Sequence, residues 1–372
     1  MLLDFPDGVL LEMSLHLPRN DIHTLRFVCL RLCIALTPHF YRTFPLWLRE
    51  PHLSSFLRTV DTGILDDWLS YARVLRIPGM SAPPPVGNTD LAPVLARLQS
   101  VRSVMWVLKE RDPGPVIDAL CGFIAQLRTL HELDVTIESG IVVPLVVRSI
   151  SNLTSLKIAT RAWNAPAIGP TIAALVAQGP RLQTLHLLGA TDWNAVWLAL
   201  AVGQTRPTLR ELVTNQCSPE LLQYLAAYPY PILETLRLVG VDEDSALGTI
   251  FWSDILPLHA DTLVHLEIRP AYEGGWCLPA ASIHTIAATP QLQTLQVSLN
   301  GADLFDPASE PLLTNLLNAV LAHPRIHTLR LLPARHTSSQ QRQYDRVLRA
   351  QLATRCSLVV RKSRGRRAAR GH

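Results

Sequence analysis

The chain has 372 residues, 48% of them hydrophobic and only 17% charged, with a formal net charge of +4. Arg361, Lys362, Arg364, Arg366, Arg367 and Arg370 crowd the last dozen residues. The excess cation is therefore a property of the tail, the body is near neutral or slightly acidic, no overall nucleic-acid footprint follows, and a nucleic-acid partner is not expected. The longest runs free of Lys, Arg, Asp and Glu, such as 162–180, contain Pro166 and Pro170 and do not read as membrane spans. Met1-Leu2-Leu3-Asp4 lacks a basic n-region and soon meets Pro6, so it does not read as a secretory signal. Cys29, Cys33, Cys121, Cys217, Cys277 and Cys356 are too scattered for a disulfide scaffold. Cys29 and Cys33, four apart, are expected as buried thiols on one helix face. The expectation is a soluble intracellular protein, cytoplasmic and/or nuclear.

In chain order, residues 5–42 read first. Pro6 opens a short helix, Pro18 interrupts, and Asn20 or Asp21 is expected to cap a second helix. On that second helix Ile22, Leu25, Val28, Cys29 and Leu32 fall on one side. The plainest reading is an amphipathic cap over whatever follows. Residues 46–73 read as a helical connector.

From residue 74 the chain repeats. Val74-Leu75-Arg76-Ile77, Val101-x-x-Val104-x-Trp106 and Leu130-x-x-Leu133-x-Val135 are early, irregular copies of a Leu-x-x-Leu-x-Leu phrase. Clearer copies follow at Leu153-x-x-Leu156-x-Ile158, Leu182-x-x-Leu185-x-Leu187, Leu233-x-x-Leu236-x-Leu238, Leu263-x-x-Leu266-x-Ile268 and Leu292-x-x-Leu295-x-Val297. Leu209-x-x-Leu212-x-Thr214 places a hydroxyl at an aliphatic position, Ile326-x-x-Leu329-x-Leu331 comes late, and Leu358-Val359-Val360 reads as a closing strand. Between these lie segments of helical period: 115–127, 170–178 and 218–227, the last with Ser218 as N-cap. One such unit cannot bury its apolar face alone, but stacked units can.

Strand alternation assigns faces. The leucines point inward. Arg76, Met105, Asp134, Lys157, His186, Val213, Arg237, Glu267, Gln296 and Arg330 share the other face, beside a parallel row from Val74 and Ser103 to Thr328. This mixture of charges and hydroxyls suits protein recognition better than a phosphate track. Trp163, Trp193, Trp197, Trp252 and Trp276 fall in loops or helix starts. Core packing is the leading reading for them and a binding rim the second. The segment 271–279, with Gly274 and Gly275, reads as a contact loop. The tail from Lys362 reads as solvated, with a nuclear-import signal as the alternative.

No phosphate-binding glycine loop, nucleophile elbow or zinc-protease motif occurs, and the 13 histidines show no metal-ligand spacing. Asp242-Glu243-Asp244 is expected only to favour a helix dipole. A non-catalytic protein without a cofactor or metal is expected.

Two resemblances sharpen this. The array over roughly residues 70–360 resembles the leucine-rich-repeat family. The opening phrases are similar to an F-box: Phe5-Pro6, then Val9-Leu10-Leu11-Glu12-Met13, the Leu17-Pro18 break, Asp21-Ile22, Val28-Cys29-x-Arg31, and 36–43 for a third helix. Gly8, Ser14 and Leu32 depart from that pattern. Together the resemblances imply an α/β fold: a leucine-rich-repeat solenoid of about ten repeats, a horseshoe with parallel strands on the concave face and helices outside, and an N-terminal three-helix F-box module. The implied boundaries are 1–45 for the module, 46–73 for a connector and cap, 74–361 for the solenoid and 362–372 for a basic tail. They imply a substrate-recognition adaptor that binds a Skp-type linker, and through it a cullin, by a helix-in-groove contact. The linker-binding candidates are Phe5, Pro6, Leu10, Leu11, Met13, Leu17, Pro18, Ile22, Leu25 and Val28, some of which must instead fill the module's own core. The target-binding candidates are Arg76, Asp134, Lys157, His186, Arg237, Glu267, Gln296 and Arg330. The alternative is a repeat scaffold or inhibitor with no ubiquitin role.

Overall fold

The computed structural model describes residues 5–48, 52–79, 91–109, 112, 114–138, 150–161, 168–203, 207–227, 232–241, 245–300, 310–334, 346 and 348–350. The expectations for Trp163, 242–244, Cys356, 358–360 and the tail from 362 lie outside them. The chain is α/β and divides into two compact units, Met1–Thr208 and Leu209–His372.

The first unit opens with helices α1 (Asp7–Ser14), α2 (Arg19–Arg26) and α3 (Leu30–Phe40). Strands β1 (Thr43–Pro45), β2 (Val74–Ile77), β3 (Ser103–Leu108), β4 (Glu132–Ile137), β5 (Ser155–Thr160) and β6 (Thr184–Leu188) follow, each pairing in parallel with the next. Their connections carry α4 (His52–Asp61), α5 (Asp66–Ser70), α6 (Ala92–Leu95), α7 (Gly114–Gln126) and α8 (Gly169–Ala177), and α9 (Asn194–Val202) follows β6. The second unit holds β7 (Glu211–Thr214), β8 (Thr235–Val239), β9 (His265–Arg269), β10 (Thr294–Leu299) and β11 (Thr328–Pro333), again each parallel to the next. Its helices are α10 (Pro219–Ala226), α11 (Ser245–Ile250), α12 (Leu256–His259), α13 (Ile283–Ala287) and α14 (Glu310–Ala322), with a π-helical turn at Phe251–Ile255. Among the described residues no helix is long and apolar enough to cross a membrane.

Register explains why the repeated phrase recurs. Leu75, Val104, Leu133, Leu156 and Leu185 sit in line across β2–β6, as do Leu212, Leu236, Leu266 and Leu295 across β7–β10, and all nine are buried. Each such leucine contributes about 1.5–3 kcal/mol of transfer free energy, available only because a neighbouring repeat covers it. A backbone device accompanies the side chains. Where each strand begins, one carbonyl accepts two successive N–H groups of the next repeat. Arg42 O takes the N–H groups of Arg73 and Val74, Arg73 O those of Arg102 and Ser103, and Arg102 O those of His131 and Glu132. In the second unit Arg210 O, Glu234 O, Val264 O and Gln293 O do the same. Two histidines add side-chain ties. His259 Nε2 lies 3.1 Å from Leu225 O and His323 Nε2 lies 2.8 Å from Thr289 O, each bonding to the carbonyl 34 residues earlier.

Several expectations match in detail. The expected helices appear as α7, α8 and α10, and Ser218 Oγ caps α10 by accepting from Leu221 N at 3.4 Å. Thr214 is tolerated in the core because its hydroxyl bonds to Gln216 O at 3.3 Å. Trp193, Trp197, Trp252 and Trp276 are all buried, so the rim reading fails for them and the core reading holds.

Others need correction. The parallel pairing begins at β1, before residue 74, because Thr43, Phe44 and Pro45 already align with Val74, Leu75 and Arg76. Residues 21–32 are not one helix. Cys29 is extended (φ −161°, ψ 163°), so α2 ends at Arg26 and α3 starts at Leu30. Neither Asn20 nor Asp21 caps α2. Pro18 holds that position, and its carbonyl accepts from Asp21 N and Ile22 N. Cys29 and Cys33 are half-buried rather than buried, because that break lifts Cys29 off the helix. In 271–279 the backbone is irregular as expected, yet Trp276, Cys277 and Leu278 point into the core.

Candidate protein-binding surfaces

The three N-terminal helices have a small core. Leu10, Ile22, Leu32 and Leu36 are buried together, with Leu25, Cys29, Ala35 and Phe40 packed against them. Helix α1 is apolar nearly all round but buries one row only, Leu10 and Ser14, where the Ser14 hydroxyl is satisfied by Leu11 O at 2.6 Å. The rows Val9/Met13 and Leu11/Leu15, each one turn apart, stay exposed. On α3 the buried residues are Leu32 and Leu36, while Leu30 and Ile34 face water at 75% and 63% exposure. At the break between α2 and α3, Phe27 and Val28 are 77% and 65% exposed. So many uncovered large apolar groups in so short a segment make this the candidate binding surface of the N-terminal helices.

The candidates from sequence now separate. Leu10, Ile22 and Leu25 belong to the module's own core. Phe5, Leu11, Met13, Leu17 and Val28 are exposed. Pro6 and Pro18 are exposed at the starts of α1 and α2, where their carbonyls accept the first helical N–H groups. Sequence reasoning missed Val9, Leu15, Phe27, Leu30 and Ile34. For the last two a signal existed: they are one turn apart, on the side of α3 away from Leu32 and Leu36.

Two polar contacts hold this face in place. Arg31 donates to Asp7 Oδ1 at 3.2 Å and to Phe5 O at 2.7 Å, tying the start of α1 to α3. The Arg26 guanidinium lies 4.5 Å above the Phe40 ring and 4.9 Å above Tyr41, and Tyr41 stacks on Trp68 at 4.7 Å. That seam links α2, α3 and α5. The cation–π contacts account for Arg26 Nε being buried without a hydrogen bond.

The polar face of the strands is the second surface. In the first unit Arg76, Met105, Asp134, Lys157 and His186 are register partners. Lys157 Nζ pairs with Glu132 at 3.2 Å, and Ser103 Oγ donates to the same carboxylate at 2.9 Å. Burial raises the Asp134 pKa above the ordinary carboxylate range, opposed by Lys157 and reinforced by Glu132. Acid and base are matched there.

In the second unit Val213, Arg237, Glu267, Gln296 and Arg330 are register partners. Glu267 is only 9% exposed. It receives Arg237 Nε at 2.6 Å and Gln296 Nε2 at 3.0 Å, with Arg269 Nε at 3.8 Å. Gln296 Oε1 then accepts from Arg330 at 3.4 Å. Glu267 and Gln296 are thus buried beneath the arginines they orient, whereas Arg76 and Arg330 are exposed and Asp134, Lys157, His186 and Arg237 are partly so.

The second unit also has a cavity of about 530 Å³ beside the π-helical turn, lined by Trp252, Ser253, Gly275, His284, Thr285 and Asn300 among others. None of its lining residues is a carboxylate, lysine or arginine. Among the described residues no group of three or more His, Cys, Asp or Glu is placed to hold a metal ion. No protein-family model matches the chain, and none of the curated proteins matches it.

Proposed function

We propose that this chain is a substrate-recognition adaptor of a Skp–cullin–F-box ubiquitin ligase, with an F-box at its N-terminus and leucine-rich repeats after it. The observation that carries this reading is the uncovered apolar face of α1–α3. Large side chains from Phe5 to Ile34 are exposed around a core of only four buried residues. Such a face fits a groove on a Skp-type linker, and the phrase order of residues 5–43 is what singles out that partner. The strand face then serves to hold a client. The adaptor makes no bond itself; it raises the local concentration of client lysines near a charged enzyme carried by the cullin. Its place of work in this reading is the cytoplasm or nucleus.

The test is co-purification of the full chain with a Skp-type linker. Leu11→Asp combined with Val28→Asp removes exposed apolar groups and leaves the core residues Leu10 and Ile22 untouched. The reading predicts that the wild-type chain retains the linker and the folded double variant loses it. Equal retention by both, or by neither, contradicts it.

A further inference from the structure

The polar face of β8–β11 has an imbalance that the first unit lacks. Alternation places Thr235, Arg237 and Val239 on that face from β8, and His265, Glu267 and Arg269 from β9. From β10 it places Thr294, Gln296 and Ser298, and from β11 Thr328, Arg330 and Leu332. Three arginines stand against one carboxylate. That carboxylate is nearly buried and already engaged by Arg237, Arg269 and Gln296. Among the described residues Arg237 and Arg269 reach Glu267 through Nε alone, and Arg330 reaches Gln296 through one terminal nitrogen. The side chains of Arg237 and Arg269 are 43% and 46% exposed.

We propose that this face binds an acidic peptide segment of the client through Arg237, Arg269 and Arg330, with Glu267 and Gln296 as positioning residues. The proposal rests on the adaptor reading for the word client, but its chemistry stands without it. A guanidinium fixed through Nε presents two terminal nitrogens, the geometry that suits a carboxylate. Glu267 fixes the Arg237 guanidinium by a 2.6 Å hydrogen bond and keeps Arg269 within 3.8 Å before any ligand arrives, so less rotamer freedom is lost on binding. From β8 to β11 is three strand spacings, about 14 Å. The donors are spread over that width rather than gathered at a point, which favours several carboxylates along an extended segment over a single phosphate.

The test is fluorescence anisotropy on the full chain, using a short labelled peptide that alternates glutamate and serine. Its isostere with glutamine, a phosphoserine peptide with glutamine elsewhere, and a single-stranded oligonucleotide complete the set. The glutamate peptide is expected to bind best, and its affinity to fall as salt rises. Arg237→Gln with Arg330→Gln is expected to weaken it at least about tenfold, since each lost charge-assisted bond is a substantial share of so small a contact. Glu267→Gln, which keeps the side-chain shape but loses the charge that orients Arg237, is expected to weaken binding by less than the arginine double variant does, and unaltered binding would remove Glu267 from the proposal. Equal binding of the glutamine isostere, preference for the phosphoserine peptide or the oligonucleotide, or an unaltered arginine double variant would overturn the proposal. Linker retention measured on the same arginine variants separates the two readings: it is expected to be unchanged, and its absence in the wild-type chain would count against the adaptor reading alone.

Discussion

The three N-terminal helices and the strand repeats behind them treat apolar side chains in opposite ways. In β2–β6 the leucine row is covered by the neighbouring repeats, and among the large apolar side chains of these strands only Met105 is exposed, at 41%. In α1–α3 only one row of each helix is covered, and Leu11, Met13, Phe27, Val28, Leu30 and Ile34 are left to solvent. The leucine row of the repeats is buried within the chain, whereas the helical module leaves most of its large apolar groups in water.

The comparison can be broken by substitution. Leu156→Ala removes a side chain fully enclosed between repeats and is expected to cost about 2–5 kcal/mol, read by chemical denaturation. A cost under about 1 kcal/mol would mean the leucine row is not the spine of the first unit. Next comes Gly189, at φ 115°, whose added Cβ would collide with the carbonyl and hydroxyl oxygens of Thr160. Gly189→Ala is expected to lower stability by about 1–3 kcal/mol, because the backbone there is both strained for other residues and closely approached. Ser218→Ala removes the cap of α10 and is expected to cost about 1 kcal/mol.

A smaller effect follows from His259. Burial lowers its pKa, against a hydrogen bond to Leu225 O that raises it, and its Nδ1 is buried with no partner among the described residues. The folded chain therefore favours the neutral ring. Below the ordinary histidine pKa the unfolded chain takes up a proton that the folded chain resists, so stability falls as pH falls from about 6.5 toward the lowered value. Denaturation midpoints of wild type and His259→Gln at pH 7.5 and 5.5 check this: the fall should be smaller in the variant. Smallest of all is Val28→Asp, which sits in water and is expected to shift stability by no more than about 0.5 kcal/mol.

The repeats were legible in sequence because one side-chain requirement recurs. Each Leu-x-x-Leu-x-Leu phrase must present its aliphatic groups to a neighbour in the same register, so the face assignment from Arg76 to Arg330 could be written down before the strands were seen. The double-acceptor carbonyls of Arg42, Arg73 and Arg102 were not legible, because a backbone oxygen leaves no trace in residue identity. The helical module was read less well for a different reason. Periodicity ran through Val28 and Cys29, but one extended residue at Cys29 broke the helix and turned Val28 outward. The arginine network of β8–β11 was half visible. Arg237, Glu267, Gln296 and Arg330 follow from strand alternation as separate candidates, Arg269 is not among them, and the convergence of Arg237, Arg269 and Gln296 on Glu267 depends on side-chain reach between strands.

The central claim is that the apolar face of α1–α3 is completed by a linker protein. Amide hydrogen exchange on the full chain, with and without a Skp-type linker, tests it most directly. The account predicts slowed exchange across residues 9–36 when the linker is present, with β2–β11 unchanged. Unaltered exchange in the helices, or protection confined to the strands, would contradict it.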